Sequence, residues 1–388
     1  MATNFDIPID RRNQFDCIKW NMYDEDVTPL WVADMDFRSP EPVIRALHER
    51  IEHGVFGYQA DSPSLRSLLV ERMNTRHHFN ISGDQIIFMP GLVFGLYAVS
   101  RAVGNVGTGV LVNTPVYPPF LTVPKDTDRL LQKAPLASSV TDGILRYEID
   151  FDALEAAVTP ETRLFILCNP HNPVGRVYNR QELEGIAEFC LRHNLIICSD
   201  EIHCDLIYPG QEHISIATLS PEVAAHTVTL LAPSKTFNLP GFGLGLAVIE
   251  NPELREAVQA SVGKVHAGVN ALAYTAAEAA YAEGQPWLDD LMVYLQGNRD
   301  ALVDFVRENL PNIPVTRPEG TYLAWLDFSA YNLQPDAYTF FLEHARIACS
   351  GGEIFDAPNF VRINYGTTRE TLMTGMNKLL AALTPAEA

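Results

Sequence analysis

Short apolar runs closed by turn residues recur through most of the chain. They are Gln85 to Met89, Val110 to Val112, Leu164 to Leu167, Leu195 to Cys198 and Thr227 to Leu231. Runs of this length predict strands buried on both faces, as in a parallel sheet. Segments with helical spacing lie between them, among them Gly91 to Val103 and Gln181 to His193. Strands alternating with helices from Pro42 to about Tyr281 predict an α/β unit whose mostly parallel sheet is covered on both sides. Past Gly284-Gln285-Pro286 the pattern changes. A long amphipathic stretch from Trp287 to Leu310 is followed by a strand, Tyr322 to Phe328, and a helix, Pro335 to Ile347. A strand, Phe360 to Asn364, and a helix, Arg369 to Leu383, complete a small α+β unit.

The strand ends carry the chemistry. In open α/β sheets a ligand lies outside the carboxyl ends of the strands, so polar or glycine-rich ends on neighbouring strands define one site. Here the ends are Pro90-Gly91-Leu92-Val93, Asn113-Thr114-Pro115-Val116-Tyr117, Asn169-Pro170-His171-Asn172-Pro173, Asp200-Glu201-Ile202-His203 and Ser234-Lys235. Lys235 has no acidic residue within five positions along the chain, so no local ion pair explains it. A Schiff base would; a solvated loop lysine is the alternative. The run Gly241-Phe242-Gly243-Leu244-Gly245 precedes a strand-like Leu246 to Ile249 instead of following one, so it is not a dinucleotide fingerprint.

Six motifs together carry a family resemblance. They are Trp31-Val32-Ala33-Asp34-Met35-Asp36-Phe37, Phe56-Gly57-Tyr58, Asn169 to Gly175, Ser199-Asp200-Glu201-Ile202-His203, Ser234-Lys235-Thr236-Phe237-Asn238 and Phe360-Val361-Arg362-Ile363-Asn364. The chain resembles the fold-type I pyridoxal 5′-phosphate enzymes, and among them the MalY/PatB-type cystathionine β-lyases. The resemblance implies a large cofactor domain, residues 41–284, with a mostly parallel seven-stranded sheet. It also implies a small α+β domain, 285–388, against which an N-terminal segment, 1–40, packs.

The resemblance assigns roles residue by residue. Lys235 is the Schiff-base lysine and general base. Asp200 pairs with the pyridine nitrogen, while Asn172 and His203 face the ring oxygen. Tyr117 stacks on the ring and lines the substrate cleft, which makes it a catalytic candidate beside Lys235. Gly91, Leu92, Val93 and Ser234 hold the phosphate, and Tyr58 reaches the phosphate of the neighbouring subunit of a homodimer with shared sites. Arg362 grips the substrate carboxylate, with Asn172 and Tyr117 beside it. Packed core or turn residues are the plain alternatives for Asp200, Asn172, His203 and Tyr117, and an edge-strand surface arginine for Arg362. Two positions depart from the wider superfamily. Ala232 stands where many relatives have a phosphate-binding hydroxyl, and Gly243 where many aminotransferases have a phosphate-binding arginine.

Bulk properties narrow the partners. With 28 basic and 48 acidic residues among 388, the formal charge of −20 repels nucleic acid and anionic membranes. The cysteines at 17, 168, 190, 198, 204 and 349 show no C-x-x-C pair and no tight metal spacing, which predicts reduced thiols and no metal site. Met1 to Asp10 has no apolar signal core, so a cytoplasmic enzyme is expected.

The activity implied is α,β-elimination from cystathionine or a related cysteine thioether, giving thiol, pyruvate and ammonia. An aminotransferase acting on an L-amino acid is the alternative, and the arginine missing at Gly243 counts against it. A non-catalytic regulatory module is a third reading; it calls for a basic DNA-binding domain in front, which residues 1–40 do not resemble.

Overall fold

The computed structural model describes residues 3–263 and 268–384. A seven-stranded sheet forms its centre. Its order is Ile86–Met89, Gly245–Val248, Thr227–Leu231, Ile196–Asp200, Thr162–Cys168, Gly109–Thr114 and Leu130–Pro135. Only Gly245–Val248 runs antiparallel to its neighbours, so the expected mostly parallel sheet is what forms.

Side chains alternate across two apolar faces, which is why these strands read as continuous apolar runs. Val110, Val112, Leu164 and Ile166 pack on one face with Leu96, Phe120 and Val258 from three helices. Leu111, Phe165, Leu167 and Ile197 pack on the other with Leu183, Ile186 and Phe189 of the helix Arg180–Arg192. That helix starts where the sequence says it must, because Asn179 and Glu182 form a reciprocal capping box.

A second sheet of six strands pairs Phe360–Asn364 with Leu323–Asp327. Two of its strands, Ala137–Thr141 and Ile144–Glu148, come from within the 41–284 stretch and cross to join Val315–Thr316. They form a hairpin turned by Asp142 (φ 51°) and Gly143 (φ 78°). This hairpin is not among the strands predicted from the sequence, because Ala137–Thr141 is solvent-exposed and has little apolar signal. The Asp-Gly turn was the available clue.

The N-terminal segment joins the C-terminal residues through a parallel pair, Thr28–Pro29 with Ile347–Ala348. This pairing also corrects the helix expected from Pro335 to Ile347. The α-helix is only Ala337–Phe340, widening into a π turn at Phe341–Ala345. Arg346 then turns left-handed at φ 54°, and Ile347 is drawn into the strand. Among the described residues no helix is long and apolar enough to cross a membrane. All six cysteines are free, and all but Cys17 are buried.

Candidate active site

Lys235 leaves the end of the strand Thr227–Leu231 on a single helical turn, Pro233–Thr236. Side chains on both sides fix that turn. The Thr236 hydroxyl donates to Asp205 Oδ2 at 2.9 Å, and Asp205 is held by Arg72 (2.6 Å) and His77 (3.2 Å). Asn238 donates to the carbonyls of Met35 (2.9 Å) and Phe37 (2.8 Å) and accepts from the Met35 N–H (3.0 Å). The N-terminal strip is thereby brought over Lys235, whose Nζ donates to the Ala33 carbonyl. Removal from water lowers the Lys235 pKa to about 8. Arg362 adds to the shift, while Asp34 and Asp200 oppose it.

His77, Cys204 and Asp205 bring ligand atoms within 4.8 Å of one another. The carboxylate charge there is already met by Arg72, so this cluster is a strut for the lysine turn and not a metal centre.

A cavity of 160 Å³ collects the expected strand ends: Leu92, Val93, Tyr117, Asn172, Asp200, His203, Lys235 and Arg362 all line it. Asp200 sits buried at the end of its strand, and Oδ1 accepts from the Ile202 N–H at 3.1 Å. Burial pushes its pKa up to about 7, since the weak pull of Lys235 does not compensate for lost solvation. Burial also holds His203 well below its usual range, helped by Lys235 and Arg362, so its imidazole is neutral. Its Nδ1 is buried without a partner. Tyr117 is kept a neutral phenol by burial and by the nearby Asp200 charge.

Arg362 lies across the cavity on the strand Phe360–Asn364. Nη1 donates to Asn172 Oδ1 (3.0 Å), and Nη2 donates to Trp31 O (3.0 Å) and Ser350 Oγ (3.1 Å). The guanidinium packs over Phe355, 4.9 Å from the ring centroid. Burial lowers its pKa to about 10, so it remains a cation at neutral pH. Its Nε is buried with no acceptor.

Gly91, at φ 116°, opens the helix Leu92–Ala102. The first-turn amides of a helix have no intrahelical acceptor, and the helix dipole makes that end an anion cradle. Gly245 shapes it from behind. A Cβ there would lie 2.9 Å from the Gly91 carbonyl carbon and 3.0 Å from Leu92 N, so only glycine lets the antiparallel strand approach. Gly243, at φ 63°, is likewise a turn residue.

Residues 25–379 match the aminotransferase class I and II family over almost the whole chain. The chain belongs to that family. Its relatives include the cystathionine β-lyase PatB of Bacillus subtilis (strain 168), 38% identical over 94% of this chain and 96% of that protein. The crystal structure of OvoB matches with a TM-score of 0.94 at 41% identity, over 99% of this chain and 100% of that one. The PLP-bound C–S lyase of Staphylococcus hominis complexed with L-cycloserine matches with a TM-score of 0.92 at 32% identity, over 99% of each chain.

As a member of this family the chain presents groups that fit pyridoxal 5′-phosphate. Asp200 is a buried carboxylate that no arginine or lysine pairs with among the described residues, as a pyridinium partner requires. With its Oδ1 on Arg362, the Asn172 side chain retains an amide donor for a ring oxygen, and His203 has an unpartnered ring nitrogen nearby. The Leu92 end of its helix offers first-turn amides that fit a phosphate.

Three expected residues lie outside the cavity wall. Gly91 and Ser234 adjoin lining residues, while Tyr58 is fully exposed in a separate depression with Phe56 and Val269. Val32, Ala33, Cys168 and Ile202, to which the sequence gives no role, also line the cavity. Cys168 accepts the Asn172 N–H at 3.4 Å and so shapes the loop that carries that amide. An isolated cysteine at a strand end gives no signal of this. Ala33 acts through its carbonyl, which no side-chain pattern reveals.

Proposed function

We propose that this protein is a pyridoxal 5′-phosphate-dependent carbon–sulfur β-lyase that cleaves cystathionine or a related L-cysteine thioether. The observation that carries this reading is the convergence of Lys235, Asp200, Asn172 and Arg362 on one small cavity. The relatives named as cystathionine β-lyase and C–S lyase support the choice of reaction. The net reaction adds one water to the thioether and releases a thiol, pyruvate and ammonia.

When bound, pyridoxal 5′-phosphate supplies the electron sink for a negative charge at Cα. The chain must orient the bonds and move the protons. Arg362 fixes the substrate carboxylate in a planar fork, and Asn172 holds that fork in place. Lys235, with its proton affinity lowered by burial, takes the Cα proton near neutral pH and delivers a proton to the departing thiolate. Asp200 would hold the pyridine nitrogen, whose positive charge would offset the burial that otherwise raises its pKa. Tyr117, a neutral phenol, would pack against the cofactor ring.

A panel of S-substituted cysteines, scored for thiol, pyruvate and keto-acid products, tests the reading. Equal amounts of thiol and pyruvate without an added 2-oxo acid are expected. Amino-group transfer that depends on a 2-oxo acid, with no pyruvate from any thioether, would replace the lyase by an aminotransferase.

Arg362→Lys checks the carboxylate fork. One ammonium cannot span Asn172, Trp31 and Ser350 while also binding a carboxylate in two places. The variant should keep its yellow colour and lose kcat/KM by roughly 10²-fold, the scale of a misplaced substrate. Unchanged kinetics would remove Arg362 from the site.

The reading extends to a cytoplasmic homodimer with shared sites, supported by the free cysteines and by an exposed apolar stretch holding Ile51, Val55, Phe56 and Tyr58. A tyrosine as fully exposed as Tyr58 is suited to reach a second subunit. Mixing Tyr58→Phe and Lys235→Ala chains, each severely impaired, should restore activity once subunits exchange, since one site of the mixed dimer has both native residues. Demonstrated exchange without recovery would exclude a shared site.

A further inference from the structure

The Ala33 carbonyl accepts from two donors inside the site: Lys235 Nζ and the hydroxyl of Tyr322, at 2.8 Å. Several restraints fix this oxygen. Asn364 Nδ2 donates to the carbonyls on either side of it, Val32 O at 2.6 Å and Asp34 O at 2.7 Å. Tyr322 is buried, and its ring meets His203 edge-on at 5.9 Å and 74°. It follows Thr321, held left-handed at φ 69°, whose carbonyl takes the hydroxyls of Tyr208 (2.8 Å) and Tyr365 (3.1 Å). A buried phenol is thus directed at the one carbonyl that also receives the lysine.

We propose that Tyr322 is a positioning residue for the amine of Lys235, acting through the Ala33 carbonyl. A carbonyl oxygen has two lone pairs. Tyr322 occupies one, so a single N–H of the free amine takes the other. The amine's own lone pair is then turned away from Ala33, into the cavity where the Cα proton is removed. The Tyr322 hydrogen bond also draws electron density from the oxygen and makes it a weaker acceptor for an ammonium, favouring the neutral base. Other charges around Lys235 are Asp34 on the N-terminal strip, Asp200 at its strand end and Arg362 across the cavity, with Tyr117 and His203 as titratable neighbours. Changing Tyr322 to phenylalanine leaves all of these side chains in place, and its own link to Arg362 bears on a guanidinium that stays charged at neutral pH. The inference rests on the proposed role of Lys235 as the base, and not on which thioether is cleaved.

The test uses the cofactor-loaded enzyme and reads exchange of the Cα proton of L-alanine into D2O by NMR as a function of pH. This step precedes both elimination and transamination. Tyr322→Phe should slow exchange by about tenfold and move its acid limb upward by about one pH unit, the size of one redistributed hydrogen bond. Replacing Tyr322 with 3-fluorotyrosine, a stronger donor of nearly the same shape, should move the limb the opposite way, which also covers a Phe variant that folds poorly. The visible absorbance titration of the resting enzyme should stay unmoved, because Lys235 is then held by the cofactor and not by Ala33. A limb that does not move in either variant, or an absorbance titration that moves with it, overturns the positioning role. Wild-type enzyme that exchanges no Cα proton overturns the reading beneath it as well.

Discussion

Lys235→Ala should abolish the yellow colour and reduce thioether cleavage by more than about 10⁴-fold, because the general acid–base role alone is worth 10²–10⁴. The covalent anchor for the cofactor is lost at the same time. Borohydride should fix cofactor on the wild type at this lysine and on no residue of the variant. Stability separates loss of chemistry from loss of fold. Burial depresses the Lys235 pKa from its ordinary 10.5 to about 8, so the folded protein binds fewer protons than the unfolded chain between those values. The lysine therefore weakens the fold fully below about pH 8, and the penalty vanishes above 10.5. Cofactor-free Lys235→Ala should thus melt no lower than cofactor-free wild type at pH 7, with any advantage fading as the pH rises from about 8 to 10.5. A reducible cofactor bond at another lysine in the variant would overturn the assignment.

Much of this site was legible because strand ends are the most readable part of an α/β chain. Apolar runs locate the strands, and the fold rule places their carboxyl ends on one side. The strand-end placement of Lys235, Asp200, Asn172 and Tyr117 follows from that geometry, their roles come from the family resemblance, and the structure brings all four to one cavity. Arg362 reaches it from the second sheet, so its side chain could be placed only through the family motif. The contributions of Ala33, Cys168 and Tyr322 were not legible. Ala33 contributes a backbone oxygen, Cys168 a contact to a backbone N–H, and Tyr322 a hydroxyl from a strand start more than 280 residues from its acceptor. Such contacts depend on the crossing of two chain segments, which periodicity does not encode. The hairpin at 137–148 escaped for a related reason: an exposed strand has no apolar face to announce it.

Asp200→Asn separates the electrostatic role of the carboxylate from its shape. An amide fills the same space beside Ile202 but offers no charge to a pyridinium, so the electron sink is weakened where charge develops. Turnover should fall by roughly 10²- to 10³-fold, the range for losing one preorganised electrostatic group. The same substitution should have the opposite effect on the protein stripped of cofactor. Burial raises the Asp200 pKa from 3.8 to about 7, so the folded state binds more protons than the unfolded chain between those values. Stability from this group is intact below pH 3.8 and is lost as the pH rises through 7. Asparagine does not titrate and escapes that loss. Cofactor-free Asp200→Asn should therefore melt progressively higher than cofactor-free wild type between pH 4 and pH 8. Adding pyridoxal 5′-phosphate at pH 8 should reverse the order, because the bound cation offsets the burial of the wild-type carboxylate and does nothing for the amide. Melting curves at the two pH values, with and without cofactor, check all four states. If the cofactor-free difference does not grow with pH, Asp200 is not a buried carboxylate without an ion-pair partner. If added cofactor stabilises both proteins equally, Asp200 does not face the pyridine nitrogen.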